Sequence, residues 1–399
     1  GMTTLIDKKI FGTLVFSIFA AVTGVCIVVP LLPVYADNLG AGGLAIGFIF
    51  GSFALSRTFF LPYFGRLSDR KGRKRLIVIG LFSYACLSLA FILAQNVTAL
   101  VAVRFFQGIA SSMMMPAIQA YVGDITPQGR EGFTMGFFNM SIFFGLSLGP
   151  VLGGSIKDIW GLDASFLSMG VLSLVGFFLS ISFLPPSHDE MILKKNRSPL
   201  PWKALLQDRE IIGLFCFRLN YTACIGILWG FLPVFADTQF ALSSANIGFL
   251  VMLGVFISGI IHLPMGYVAD HFSRRMMIVF GGLLVAGGMI YFTRSTSLSD
   301  LVIASIFFGL GGGISMPAHM AIAVFKGNQS DAMGSLMGLM TMAHSLGMLM
   351  GSSFAGLMMD VADLRDAFSL GAVISFAGVL IFFSLTKPGK QPMPQEEIL

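Results

Sequence analysis

The chain has 399 residues, 55% of them hydrophobic and only 11% charged, with a mean hydropathy of +0.84 and a formal charge of +5. Soluble domains carry about 25% charged residues, and no water-facing core could hide this much apolar surface, so the solvent for most of the chain is lipid. The positive balance does not point to nucleic acid, because the basic residues sit in short stretches between apolar runs.

A helix needs roughly 20 apolar residues to cross a bilayer. Twelve segments meet that length, at about 10–36, 43–65, 75–95, 99–123, 132–156, 164–184, 210–236, 245–267, 275–293, 300–324, 334–358 and 366–386. No small-residue cleavage site follows the first run, which therefore reads as a span and not as a cleaved leader. The stretch 185–209 carries Pro185, Pro186, Pro199 and Pro201 and reads as a linker. The expected organisation is a bundle of six helices over 1–184, a cytoplasmic linker over 185–209, and a second six-helix bundle with a short cytoplasmic tail over 210–399.

Orientation follows from Lys and Arg, which concentrate on the cytoplasmic side of membrane proteins. With both termini cytoplasmic, 19 of the 25 basic residues fall inside, from Lys8 to Lys390. Only Lys157, Arg294 and Arg365 fall outside. The remaining three, Arg57, Arg104 and Arg218, lie within spans.

The halves repeat. Leu32-Pro33-Val34-Tyr35-Ala36-Asp37 pairs with Leu232-Pro233-Val234-Phe235-Ala236-Asp237, and Met115-Pro116-Ala117 with Met316-Pro317-Ala318. Gly145, Gly149, Gly154 and Asp158 pair with Gly347, Gly351, Gly356 and Asp360, at a steady offset of 200–202. A parallel repeat of six helices predicts a pseudo-two-fold axis along the membrane normal, with a substrate site near the midplane.

The loop Gly65-Arg66-Leu67-Ser68-Asp69-Arg70-Lys71-Gly72-Arg73 returns in weaker form at Gly266–Arg275. Gly136, Gly145, Gly149-Pro150 and Gly153-Gly154 form a spaced glycine series in the fifth span. Arg104 with Gln107-Gly108 marks the fourth, and Gly24, Pro30 and Pro33 the first. On these residues the chain resembles the major facilitator superfamily over nearly its whole length, and within it the twelve-helix drug:proton antiporters. The resemblance implies an all-α membrane protein with twelve transmembrane helices in two pseudo-symmetric bundles. It also implies alternating access, a monomeric state and, through the fifth-span motif, export. It marks Gly65, Asp69, Arg70 and Arg73 as a conformational gate, with Asp124 and Arg130 as partners and Asp270 and Arg274 as the second copy. Gly145, Gly149, Pro150, Gly153 and Gly154 would be the antiporter motif.

The intramembrane arginines carry the chemistry read from the residues themselves. A charge at bilayer depth is costly and marks function, and no Asp or Glu lies at the centre of any span. Arg57, Arg104 and Arg218 therefore have three possible partners: backbone carbonyls, water or an anionic substrate. Asn220, His262, His319 and His344 join them as candidate substrate-binding residues. Histidine titrates near neutral pH, so His262, with Asp37 and the tuning charge of Arg104, is the candidate set for proton coupling. The lack of a central acid argues against a cationic drug held by a carboxylate and for an anionic or lipid-like amphiphile.

The expected activity is proton-coupled export of amphipathic organic molecules through the inner membrane of the cell. The alternatives are uptake of an anionic metabolite and, from the 24 methionines with those histidines, carriage of copper(I). The expected partners are a small-molecule substrate, protons and the lipid bilayer. No resident metal, cofactor or nucleic acid is expected. No nucleotide-binding loop or nucleophile motif argues for an enzyme.

Overall fold

The computed structural model describes residues 7–125, 131–185, 202–330 and 333–389. The regular structure among them is helical. In the first half it comprises α1 (Lys8–Val28), α2 (Leu32–Asn38), α3 (Gly43–Lys71), α4 (Arg73–Leu93), α5 (Val97–Ile125), α6 (Glu131–Trp160) and α7 (Leu162–Phe183). After the short α8 (Trp202–Leu206) come α9 (Arg209–Phe240), α10 (Ser244–His271), α11 (Arg274–Thr293), α12 (Leu298–Ser330), α13 (Met333–Val361) and α14 (Leu364–Leu385). Counting α1 with α2, eleven are long and apolar enough to cross a membrane. The twelfth, α13, has the length at 29 residues and is diluted by His344, Ser345, Ser352 and Ser353.

Helix boundaries follow local chemistry. Asp7 caps α1, its carboxylate accepting from the amide of Lys9 at 2.9 Å. The first span breaks between Val28 and Leu32, around Pro30, because proline removes a backbone donor and crowds the preceding turn. The equivalent α9 stays continuous through Pro233, since Gly230 stands where the first half has Pro30. The junction of α3 and α4 is one residue, Gly72, at φ +89°, a region where a side chain would be strained. Its repeat counterpart is Ser273 at φ −62°, whose hydroxyl instead caps α11 by accepting from the amide of Met276 at 3.3 Å. The turn after the first span of each half also repeats: Gly40 sits at φ +86° and Ala241 at φ +50°.

Two compact units divide the chain. One holds residues up to 197 with Trp229–Met252, the other Ser198–Leu228 with everything from Leu253. Residues 229–252, at the end of α9 and the start of α10, thus group with the first unit and not with the rest of 210–399. The cause is close approach of α6 to α10: a Cβ on Gly154 would strike the carbonyl of Ser244, and one on Gly248 the carbonyl of Pro150.

Each unit has its own apolar core. The first is centred on Leu14, Ile18, Leu81, Tyr84, Met114 and Phe138, the second on Leu214, Phe217, Ile278, Leu336 and Phe382. The repeat extends into these cores. Phe91 stacks on Phe166 at 5.3 Å between ring centres, and Phe292 on Phe368 at 5.5 Å, at offsets of 201 and 202. One equivalent pair has diverged: Ser17 and Ser180 share a buried hydrogen bond of 3.2 Å, where Phe217 and Phe382 pack ring to ring at 5.9 Å.

Candidate functional site

The first unit gathers two of the three intramembrane arginines. Arg57 lies one helical turn beyond Phe53 on α3, and its guanidinium stands 5.4 Å from that ring's centre. Arg104, reaching over from α5, stands 4.5 Å from the same ring and 5.2 Å from Phe50. Both distances are within cation–π range. Arg104 is 3% exposed, donating from Nε to the carbonyl of Ile49 at 3.2 Å and from Nη1 to Oε1 of Gln107 at 2.8 Å. The Gln107 amide points on toward the sulfur of Met169 at 3.7 Å. Tyr84 and Cys26 lie within electrostatic reach of Arg104.

The two cations differ in how they are served. Arg104 has a carbonyl, an amide oxygen and two aromatic faces. The Nε of Arg57 is buried with no hydrogen-bond acceptor among the described residues. A buried donor without a partner costs about 1–3 kcal/mol, more when charged, so Arg57 is the member of this pair with something left to bind.

The second unit holds Arg218. Its Nη1 donates to the sulfur of Met316 at 3.1 Å, and its Nη2 meets Nδ1 of His344 at 3.3 Å. The Nε of Arg218 is also buried without an acceptor among the described residues. His319, 1% exposed, directs Nε2 to the carbonyl of Leu214 at 2.8 Å, and its Nδ1 has no partner among the described residues. Asn220 is turned away from this group: its amide donates to the carbonyl of Ile374 on α14 at 2.8 Å, against Gly378. His262 is half-buried on α10.

Asp37, half-buried at the end of α2, lies within electrostatic reach of its repeat counterpart Asp237. Among the gate residues, Arg73 is buried and donates to the Ser68 hydroxyl at 2.8 Å, and Arg274 donates to the carbonyl of Ala269 at 3.0 Å. Gly65, Asp69 and Arg70 belong to α3, Asp124 to α5 and Asp270 to α10, but their side-chain surroundings, like all of Arg130, lie outside the described residues.

The α6 glycines form a seam. A Cβ on Gly145, Gly149 or Gly153 would press on Thr23, Cys26 or Ile27 of α1, and Gly154 faces Ser244. The repeat keeps this arrangement, with Gly347 and Gly351 against Thr222 and Ala223 of α9. Pro150, one turn from Gly154, meets α10 at Gly248.

The sequence marked the arginines, Gln107 and His344, but not the aromatic rings beside Arg57 and Arg104. Phe50, Phe53 and Arg57 are spaced three and four apart, so they share one helix face. That spacing was the available signal for the aromatic shelf. Nothing in the sequence pointed to Tyr84, which reaches the site only through the packing of α4.

Buried cations and a glycine-lined seam in each half, in a helical membrane protein, suit a carrier of small molecules. A family model described as Major Facilitator Superfamily matches residues 14–260 and 214–397, and the chain belongs to that superfamily. An uncharacterized MFS-type transporter of Methanocaldococcus jannaschii is 27% identical over 96% of this chain and 99% of its own length. Multidrug resistance protein 2 of Bacillus subtilis is 25% identical over 94% of both chains. Quinolone resistance protein NorA of Staphylococcus aureus is 24% identical over 98% of this chain and all of its own. Among solved structures, a bacterial homolog of the human lysosomal transporter Spinster superposes with a TM-score of 0.80 at 12% identity, over 96% of this chain and 97% of that one. The nucleoside transporter NupG gives 0.78 at 14% identity, over 95% and 100%.

Proposed function

We propose that this protein is a secondary transporter exporting amphipathic organic molecules by alternating access, in exchange for protons, as a monomer in the inner membrane with both termini cytoplasmic. The α6 glycine seam carries the reading, and the names of the Bacillus and Staphylococcus relatives support it. A seam without side chains lets two helices slide or rock at contact distance with little repacking, which a carrier that alternates between two states requires. Gly65, Asp69, Arg70, Arg73, Asp124, Arg130, Asp270 and Arg274 are the proposed gate, and Asp37 and His262, tuned by Arg104, the candidate proton-coupling set. The test is accumulation of amphiphilic dyes by inverted vesicles when their lumen is acidified. A broad panel with no accumulation sinks the export reading.

A second reading, uptake of an organic anion, draws on one observation: the Nε atoms of Arg57 and Arg218 are buried cationic donors with no acceptor among the described residues. An anionic headgroup is the ligand that best relieves them. Uptake of a labelled organic anion by intact cells, abolished in Arg57→Gln and Arg218→Gln, is its test.

A further inference from the structure

Arg218 is poorly served for a buried cation. A thioether is a weak acceptor, and the neutral imidazole of His344 brings no negative charge. A guanidinium only donates, so Nδ1 of His344 is the acceptor in the 3.3 Å contact, and the proton of the neutral ring then sits on Nε2. The same bond cannot survive a second proton on His344, because Nδ1 would then be a donor facing a donor.

We propose that Arg218 and His344 form a proton-linked anion site, in which one acidic headgroup takes Arg218 and a proton taken up on Nδ1 of His344 becomes a further donor to that headgroup. The proposal rests on the anionic reading above. The proton comes from water, and one is bound per anion. Without the anion, protonation places two cations about one hydrogen bond apart. With it, both face a shared negative charge, so anion and proton favour each other's binding.

The surroundings fit an amphiphile. Tyr221, one turn from Arg218 on α9, stacks on Phe308 at 6.0 Å between ring centres, so an apolar aromatic pair adjoins the charge. Among the described residues, Tyr221 on α9 and His319 on α12 lie within electrostatic reach of Arg218, and Cys224 lies beyond Tyr221. The packed α14 has ionisable side chains only at Arg365 and Asp366, at its start. No carboxylate on these elements lies near the middle of α13: Glu210 and Asp237 lie near the two ends of α9, Asp300 opens α12 and Asp360 closes α13. The negative charge that the site lacks is therefore the ligand's to supply.

The experiment uses the purified full chain in detergent and 1-octanesulfonate, whose charge does not titrate, with octyltrimethylammonium as the matched cation. Binding is followed between about pH 5 and 8, where imidazole titrates, with proton uptake read by an indicator dye in weak buffer. Wild type is expected to bind the sulfonate, to take up protons on binding, and to gain affinity as pH falls, by up to about tenfold per unit. His344→Gln keeps an acceptor for Arg218 but cannot titrate: it is expected to bind without proton uptake and with a flat pH profile. His344→Asn serves if the glutamine variant does not fold. His271→Gln, at an exposed site at the end of α10, is expected to keep proton uptake. Proton uptake that persists without His344, or wild-type affinity independent of pH, overturns this proposal and leaves the anionic reading standing. Failure of wild type to bind the sulfonate overturns both.

Discussion

Arg57 and Arg104 stand over a single ring, that of Phe53, at 5.4 and 4.5 Å, yet the Nε of Arg104 donates to the Ile49 carbonyl while that of Arg57 has no acceptor among the described residues. Two like charges sharing an aromatic face are held there by different means. Arg104 is fastened to Ile49 and Gln107, whereas Arg57 retains a buried donor. The two positions should therefore respond differently to the same change.

Arg104→Ala removes two hydrogen bonds from a charged group and leaves Oε1 of Gln107 without its donor, while the Ile49 carbonyl keeps the Ser52 hydroxyl at 3.1 Å. At about 1.5–3 kcal/mol for each bond, the loss should be on the order of 3 kcal/mol or more. Arg57→Ala removes a charge whose Nε has no acceptor among the described residues and should cost about 1 kcal/mol or less. Thermal unfolding of both variants in detergent separates them. Equal destabilisation would mean that Arg57 is as structural as its neighbour.

The glycine seam predicts a graded series. Alanine at Gly153 or Gly351 drives Cβ into the carbonyl of Ile27 or Ala223, backbone that cannot step aside. Each should cost about 1–3 kcal/mol or more by overpacking and reduce the monodisperse yield. Gly176→Ala meets the methyl groups of Leu81 at 3.4 and 3.5 Å and the Cβ of Ala20 at 3.8 Å, ordinary contacts, and should be nearly silent. Size-exclusion profiles of the three variants check the order.

Asp158 closes the end of α6 by accepting a hydrogen bond from the amide of Ala245 at 2.8 Å, in the first turn of α10. That amide is one of the four that a helix cannot satisfy itself. Asp158→Ala should cost about 1 kcal/mol and speed hydrogen exchange over residues 245–247, with Asp158→Asn intermediate because it keeps an oxygen acceptor but loses the charge. Unchanged exchange in the alanine variant would remove the cap from the account.

Lys326, past the apolar part of α12, meets Asp208 and Glu210 at 3.0 Å each and so ties α12 to the start of α9. Burial pulls its proton affinity down, and the two carboxylates more than offset this, holding the lysine above its ordinary range. A raised lysine contributes stability that is complete below its unfolded value and is lost as pH climbs through the folded one. Lys326→Met should therefore cost up to about 1 kcal/mol at neutral pH, as expected for a partly exposed network. On the alkaline side the gap from wild type should close only above about pH 10.4, the ordinary lysine value. A gap that closed at acid pH alone would assign the effect to the carboxylates.

Much of the fold was legible because lipid and the repeat are both written in one dimension. The apolar runs set the twelve spans, and the offset of 200–202 placed equivalent residues such as Pro33 and Pro233. The same offset recovers the stacked pairs Phe91–Phe166 and Phe292–Phe368. It could not show that Pro30 breaks the first span while Gly230 lets α9 run on, nor that Ser17–Ser180 became Phe217–Phe382. A repeat preserves geometry while the atoms that satisfy it change.

The sequence alone determined that this chain lives in lipid, that it is built twice, and that three arginines sit at depths where charge is expensive. Only the tertiary structure decided which of them still has bonding capacity. Hydrogen bonds join residues far apart in the chain, such as Arg104 with Ile49 and Arg218 with His344. Whether a buried cation is satisfied depends on which carbonyl, sulfur or ring a neighbouring helix delivers within about 3 Å, and that distance is set by packing, which no local pattern of residues encodes.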